Sequence, residues 1–321
     1  MPPRQLPARL RSRLRPSSCI AWLAAALCWT ASLHAAVYPL PPLDTDLIGQ
    51  LHFVTAEHHD TLLDIARRLD VGQDEIELAN PGIDRWLPGE GTQIIAPTRF
   101  ILPAAPRTGI VLNIPEMRLY YYPAVTDETA ATVQTFPVSV GRMDWATPVG
   151  TSRITAKTRD PSWTPPESIR IEAAERGEPL PAVIPPGPDN PLGKYAMRLS
   201  LPGYLIHSTN KPYGVGMRVT HGCLRMYPED IEMLFPDVPV GTPVEIVKQP
   251  VKLGWFMDTL YAEIHPPLEE ETDGPPLLEM ALNRIAEVWE KRPFVLDGSA
   301  LKQAVEERSG MPVPIARAKE R

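Results

Sequence analysis

Proline is the strongest constraint on what this chain can fold into. The 321-residue sequence carries 39 prolines, well above a usual share of about 5%. Proline fixes φ and lacks the amide proton that a helix interior or a central strand requires. Long irregular segments or a strand-rich fold with many loops are therefore expected. The density peaks from Pro161 to Gly193, where nine prolines fall, including "PLPAVIPPGPDNPLG". That segment is expected to be neither helix nor central strand. It is long enough to be a functional loop over a site, a candidate lid, rather than a connector. Over the whole chain, 43% hydrophobic and 22% charged residues describe a globular protein of about two domains.

The first 35 residues stand apart. Arg4, Arg9, Arg11, Arg13 and Arg15 form a basic start without acids, followed by the apolar run "CIAWLAAALCW" and then "TASLHAA". This order describes a secretory signal peptide over 1–35, cut after Ala35 or Ala36. The apolar run is short for a membrane span of about 20 residues, although a plain anchor is the alternative. Cys28 follows Leu27 rather than a small residue, which argues against a lipid-modified cysteine there. No other stretch is suited to spanning a bilayer, so no membrane span is expected after processing. Five arginines and no acids leave with the signal, taking the formal charge from −7 to −12. So acidic a chain is a poor partner for nucleic acid. Cys19 and Cys28 leave as well, and Cys223 becomes the only thiol, in a compartment that favours disulfides. It cannot form an intrachain bridge. An inert buried cysteine would be safer as Ala or Val, so a lone exported thiol points to chemistry.

Residues 36–47, "VYPLPPLDTDL" and its preceding alanine, form a proline-rich leader without a core of its own. Residues 48–98 suggest a small α+β module: the strand "LHFVT", a helix in "HDTLLDIARRLD" with Asp60 as N-cap, a second helix before Pro81-Gly82, and the strand "GTQIIAP". His52, His58 and His59 are expected to be solvated, not metal ligands. Residues 107–248 are expected to be mostly β. "IVLNI" and "MRLYYYP" flank Pro115-Glu116 as a hairpin, "KYAMRLS" and "YLIHSTN" pair across Leu201-Pro202-Gly203, and "YPEDIEMLF" starts a short helix with proline and acids. The remainder, 249–321, is read as a partly helical extension, with Leu277, Leu278, Ala281, Ile285 and Val288 on one helical face.

The candidate site is "IHSTNKPYGVGMRVTHGCLRM", Ile206 to Met226. A cysteine nucleophile needs a base, donors for a tetrahedral oxyanion, and access. An unassisted thiol of pKa ~8.5 is only slightly ionised at neutral pH. Two histidines compete as base. His221 lies two residues before Cys223, so an extended backbone would face both side chains the same way. His207 ends a preceding strand, and a hairpin-like return would bring it opposite the cysteine. Gly222 permits close approach, and the Gly222 and Cys223 amides are candidates for the oxyanion hole. A zinc site of His207, His221 and Cys223 lacks a fourth ligand and any CxxC, so neither metal nor cofactor is expected. A disulfide oxidoreductase would want a second cysteine nearby.

Residues 48–98 resemble the LysM module, through "HDTLLDIARRLDV", "LANPGID" and "LPGEGTQIIAP". The resemblance implies binding to peptidoglycan glycan strands, although His58-His59-Asp60 replaces the usual Pro-Gly-Asp. The site resembles that of the YkuD-type L,D-transpeptidases: His207, a spacer, then Thr220-His221-Gly222-Cys223. With "TPVGTSRI", "PSWTP", "RMYPEDIEMLF", "VGTPVEIV" and "RSGMPV" added, the chain is similar to the ErfK/YbiS group. That resemblance implies a mainly β, YkuD-like sandwich as the catalytic domain behind the LysM-like module. It makes Cys223 the nucleophile, His207 the proton acceptor and donor, and His221 a supporting residue. Ser208, where glycine is common, Thr220, Arg218, Arg225 and Tyr195 are candidates for lining the substrate cleft, with a surface charge the alternative for Arg225 and a core strand aromatic the alternative for Tyr195. The implied setting is the periplasm of a Gram-negative bacterium, with peptidoglycan stem peptides as donors. The acceptor is the C-terminal lysine of the murein lipoprotein, a second stem peptide giving a 3→3 cross-link, or water in an L,D-carboxypeptidase. A wall-binding LysM protein with an inert β domain is the non-enzyme alternative.

Overall fold

Residues 36–126, 129–142, 145–268 and 274–319 are described in the computed structural model of the chain. The expected signal peptide lies outside them. Strand β1 (Ala36–Pro39) runs antiparallel along the strand Thr132–Pro137, at one edge of the main sheet. The leader thus borrows a core: Tyr38 and Leu40 pack against the cluster that holds Phe100, Tyr120 and Val133.

The strand, helix, helix, strand order follows. β2 (Leu47–Gly49), β3 (His52–Thr55), α1 (Leu62–Arg68), α2 (Gln73–Ala79), β4 (Gln93–Ala96) and β5 (Arg99–Ile101) form two antiparallel pairs, β3 with β4 and β2 with β5. Leu62, Ile65, Ala66 and Leu69, at helical spacing, bury against Val71, Ile76 and Ile94. The N-cap of α1 is Thr61, one residue beyond the expected Asp60. The Thr61 hydroxyl accepts from Asp64 N and the Asp64 carboxylate accepts from Thr61 N, each at 3.1 Å, a reciprocal cap worth about 1 kcal/mol. Asp60 is taken instead by Arg68, at 2.9 Å.

The central unit comprises β6 (Gly109–Asn113), β7 (Arg118–Tyr122), β8 (Thr132–Pro137), β9 (Val140–Gly141), β10 (Gly150–Arg159), α3 (Glu167–Glu175), β11 (Tyr195–Leu199), β12 (Leu205–His207), β13 (Arg218–Thr220), β14 (Leu224–Arg225), α4 (Pro228–Asp237) and β15 (Pro243–Val247). Its sheet runs β1-β8-β7-β6-β15-β10-β11-β12-β14. β6 and β7 are buried on both faces, and their period-2 alternation divides them between two cores. Ile110, Leu112, Leu119 and Tyr121 join the core under α4, whereas Val111, Tyr120 and Tyr122 join the one under Phe100. β10 pairs with β15 through its first half and with β11 through its second, with an irregularity between Ile154 and Ala156. Such a bulge bends a strand, and the bend carries β11, β12 and β14, where the site lies, over the core.

The expectation of no helix within 161–193 is corrected. α3 forms in the proline-free window between Pro166 and Pro179, with Pro166 as its N-cap. Proline is tolerated at a helix start because the first amides have no intrahelical partner. The gaps between prolines mattered more than their number.

The C-terminal part is also more than helical. β16 (Val251–Phe256), β17 (Thr259–Ile264), α5 (Leu277–Lys291), β18 (Phe294–Leu296), α6 (Gly298–Glu307) and β19 (Val313–Ala318) build an α+β layer whose sheet runs β16-β17-β19-β18. Ala281 and Ile285 of α5 and Leu301 and Ala304 of α6 pack on that sheet in a separate core.

Buried ions lock these parts together. Lys252 contacts Glu116 at 2.8 Å and Glu263 at 2.6 Å, and donates to Ile101 O. Glu116, Glu263 and His265 bring potential metal ligands together, but this cluster already holds a cation of the chain itself. At the other joint, Gln73 N and Asp74 N donate to Val215 O and Gly216 O, each at 3.1 Å. Gly216 has φ +80°, and a Cβ on it would lie 2.3 Å from Gly72 Cα. Glycine is required there, because two backbones touch.

Candidate active site

β13 ends and β14 begins around the turn Thr220-His221-Gly222-Cys223. Gly222 has φ +95°, and a Cβ there would lie 2.7 Å from Tyr204 Cε1. A side chain at this position would be strained twice over, by its backbone and by the ring. Thr220 Oγ1 donates to Cys223 O at 2.6 Å. Thr147 Oγ1 donates to Gly222 O at 2.9 Å and accepts from Gly141 N at 3.0 Å. The bend at Gly222 breaks the extended backbone on which the expectation that His221 and Cys223 face the same side rested. His221 reaches Glu172, whereas Cys223 Sγ lies 3.6 Å from Gly203 O in the β11–β12 turn.

Burial pushes the Cys223 thiol up, while a hydrogen bond from the Leu205 amide and the charge of Arg225 pull it back in part. His207 lies one strand away, at the end of β12, directly opposite Arg225 of β14. It is 5% exposed. Burial, then the neighbouring Arg225, pushes its imidazole down to about 4. His207 Nδ1 sits 2.5 Å from Ser208 O. A carbonyl only accepts, so Nδ1 carries the proton and Nε2 keeps the lone pair. At neutral pH the resting pair is therefore a thiol and a neutral imidazole able to accept a proton.

His221 has a different neighbourhood. Its Nε2 is 2.8 Å from Glu172 Oε2, on α3, and its ring meets Trp145 edge-on at 5.3 Å between centroids. Arg142 Nη2 contacts the same Glu172 oxygen at 2.9 Å, and Arg176 Nη1 contacts Oε1 at 2.6 Å. Hydrogen bonds from His221 and Arg142 hold the Glu172 carboxyl down at about 2.

The remaining candidates divide. Arg225 belongs to the site: it acts on both His207 and Cys223. Its Nε is buried without a hydrogen-bond partner. Ser208 is buried, and its side chain lies against Gly193, where a Cβ would come within 2.6 Å of Ser208 Cβ. Thr220 closes the turn through its hydroxyl. Arg218 donates to Gly141 O at 3.3 Å. It also lines a cavity of about 850 Å³ with Asp74, Glu77, Met117, Leu268 and Met311; Cys223 is not among the lining residues. Tyr195 is corrected out of the cleft. Its neighbour Ala196 pairs with His207, so the Tyr195 side chain takes the opposite face. There it packs on Phe235 at 4.9 Å and donates to Glu232 at 3.2 Å, both of α4.

Sequence reasoning missed Leu205, Tyr204, Arg142, Trp145 and Glu172. Glu172 had one local signal, the i,i+4 pair with Arg176; nothing local marks the others.

The family model of the L,D-transpeptidase catalytic domain, YkuD, matches residues 107–246, the stretch that holds this turn. Over almost the full chain, the sequence is 39% identical to the probable L,D-transpeptidase YbiS of Escherichia coli K12, covering 95% of this chain and 99% of that one. It is 38% identical to the probable L,D-transpeptidase YcfS of the same organism, with 92% of each chain covered. Identity to the probable L,D-transpeptidase ErfK/SrfK of Escherichia coli K12 is 40%, over 88% of this chain and 91% of that one. The likeness thus extends through the module before the cysteine-bearing sheet and the layer after it, and the chain belongs to the L,D-transpeptidase family.

Proposed function

We propose that the protein is a periplasmic L,D-transpeptidase that works through a thioester on Cys223. The observation that carries this reading is the one thiol among the described residues, set in a glycine turn and served by a backbone donor, with a buried neutral imidazole on the strand that pairs with the one it leads into. The donor is a peptidoglycan tetrapeptide stem. Cys223 Sγ attacks the carbonyl carbon between the L-centre of diaminopimelate and the terminal D-Ala, as His207 takes the thiol proton. The Gly222 and Cys223 amides hold the tetrahedral oxyanion. On collapse the C–N bond breaks, His207 returns the proton to the departing D-Ala amine, and a thioester remains. An acceptor amine then attacks the thioester carbonyl, forming a new amide and restoring the thiol.

The basic start and apolar run of residues 1–35 support export. A processed charge of −12 suits a cationic acceptor, and the C-terminal lysine of the murein lipoprotein is the acceptor proposed. The module of α1 and α2 is the tether to glycan strands, presenting exposed Phe53, Trp86 and Leu87, apolar groups of the kind that contact sugar rings. Joint replacement of Phe53 and Trp86 by alanine is expected to lower the fraction of protein that sediments with peptidoglycan sacculi several-fold. An unchanged fraction sinks the tether.

The test of the reaction is intact-mass spectrometry of the mature protein with a disaccharide-tetrapeptide. An adduct of the stem tripeptide mass, after loss of D-Ala, is expected on the wild type and absent from Cys223→Ala. Adding the lipoprotein C-terminal peptide should discharge it to an amide product. Folded wild-type protein that forms no adduct overturns the assignment.

A further inference from the structure

We propose that Arg142 and His221 form a subsite for a donor-peptide carboxylate, and that Glu172 fills it as an internal stand-in when α3 is closed. This rests on the transpeptidase reading above. Three donor groups converge on one carboxylate: His221 Nε2 and Arg142 Nη2 on Oε2 at 2.8 and 2.9 Å, and Arg176 Nη1 on Oε1 at 2.6 Å. The two receptors are fixed to the reactive turn. His221 is two residues before Cys223, and Arg142 N donates to Thr220 O at 3.0 Å.

The anion is not fixed in the same way. Glu172 rides on a nine-residue helix of which only Ala173 is buried, while Ile171 is exposed. So short a helix has little stability of its own, and so little buried apolar surface holds it weakly. Charges hold it in place, and charges can be exchanged for others. Arg142 also has unused capacity. Its Nε is buried without a hydrogen-bond partner, because Glu172 engages Nη2. A free carboxylate arriving over Cys223 can take both donors of the guanidinium edge, the geometry in which arginine binds carboxylates best. The occupant is therefore a carboxylate flanking the scissile amide. The stem supplies two: the terminal D-Ala carboxylate and the free diaminopimelate carboxylate.

The experiment measures rates of Cys223 acylation by intact mass at subsaturating donor. Wild type, Arg142→Met, Arg142→Lys and Glu172→Gln are compared on the free tetrapeptide, on its D-Ala carboxamide and on its diaminopimelate amide. Arg142→Met is expected to lose about 10- to 100-fold on the free donor, the scale of a charge-assisted contact. It should lose no more than about 3-fold, on the same scale, on the donor amidated at the bound carboxylate, which identifies the source. Arg142→Lys should recover part of the loss, and Glu172→Gln should gain several-fold on the free donor. Iodoacetamide alkylation of Cys223 at the wild-type rate shows that the turn is intact in each variant. Equal losses on all three donors, or a slower Glu172→Gln, overturn the subsite. Calorimetry on Cys223→Ala separates the two claims. If wild type is never acylated, carboxylate-dependent binding lost with Arg142→Met still supports the subsite, and its absence overturns it.

Discussion

Replacing His207 by alanine is expected to slow acylation of Cys223 by the stem tetrapeptide about 10²- to 10⁴-fold at neutral pH, the usual contribution of a positioned general base. The pH dependence tells that loss from simple damage. In the wild type, burial and Arg225 push His207 down to about 4. It is the proton-accepting neutral form at every pH above that, so the rate should change little from about pH 5 to pH 7. Without His207 the reaction must await thiolate formed in solution exchange. Burial raises the Cys223 thiol, so the variant's rate should climb about tenfold per pH unit through neutrality. The two profiles should converge as pH rises. A variant whose profile runs parallel to the wild type would hand the base role to His221.

The parts of the site that could be read from sequence are those whose residues are contiguous. The turn from Thr220 to Cys223 is four residues long, and its glycine announces a backbone that only glycine adopts easily. The β6–β7 hairpin was legible for a similar reason, since both strands are apolar on both faces apart from Asn113 and Arg118, and Pro115-Glu116 marks the return. What escaped was set by tertiary placement. Glu172 lies 49 residues from His221 and reaches it only because α3 folds back over the turn. Tyr195 stayed open between cleft and core because of face parity: nothing short of the register that sets Ala196 against His207 shows which way its side chain turns. The C-terminal strands were hidden beside the stronger periodicity of α5. Their pairing is non-local, with Leu260 opposite Ala316, and no turn signal joins such partners. The proline-rich segment misled because a helix of nine residues fits between two prolines.

Substitution of Glu75 by alanine is expected to be the most damaging single change to stability, at about 3–5 kcal/mol, the cost of stranding one member of a buried ion pair. Arg118 is 1% exposed at its side chain, and Glu75 accepts from its Nε and Nη2, each at 2.7 Å. Burial alone would lower the Arg118 guanidinium, yet Glu75 raises it well above its ordinary value. Without Glu75 that buried cation loses both of its carboxylate contacts and keeps Thr135 Oγ1, the Asp70 carbonyl and the more distant charge of Asp70. At about 2–4 °C per kcal/mol for a chain of this size, the melting temperature should fall by about 10 °C. Arg118→Met with Glu75→Met should recover much of the loss, since desolvation of both charges is then avoided. Single and double variants melting alike would show that volume, not charge, matters at this joint. The effect should also reach the chemistry. Glu75 accepts from Gly72 N at 2.6 Å, and the next two amides of α2 hold Val215 O and Gly216 O. That loop follows Gly214, against which the Arg225 guanidinium lies, a Cβ on Gly214 falling 3.4 Å from its Nη1. Loss of Glu75 should therefore slow acylation at temperatures where the protein is still folded, because the charge beside Cys223 and His207 is positioned from the module side.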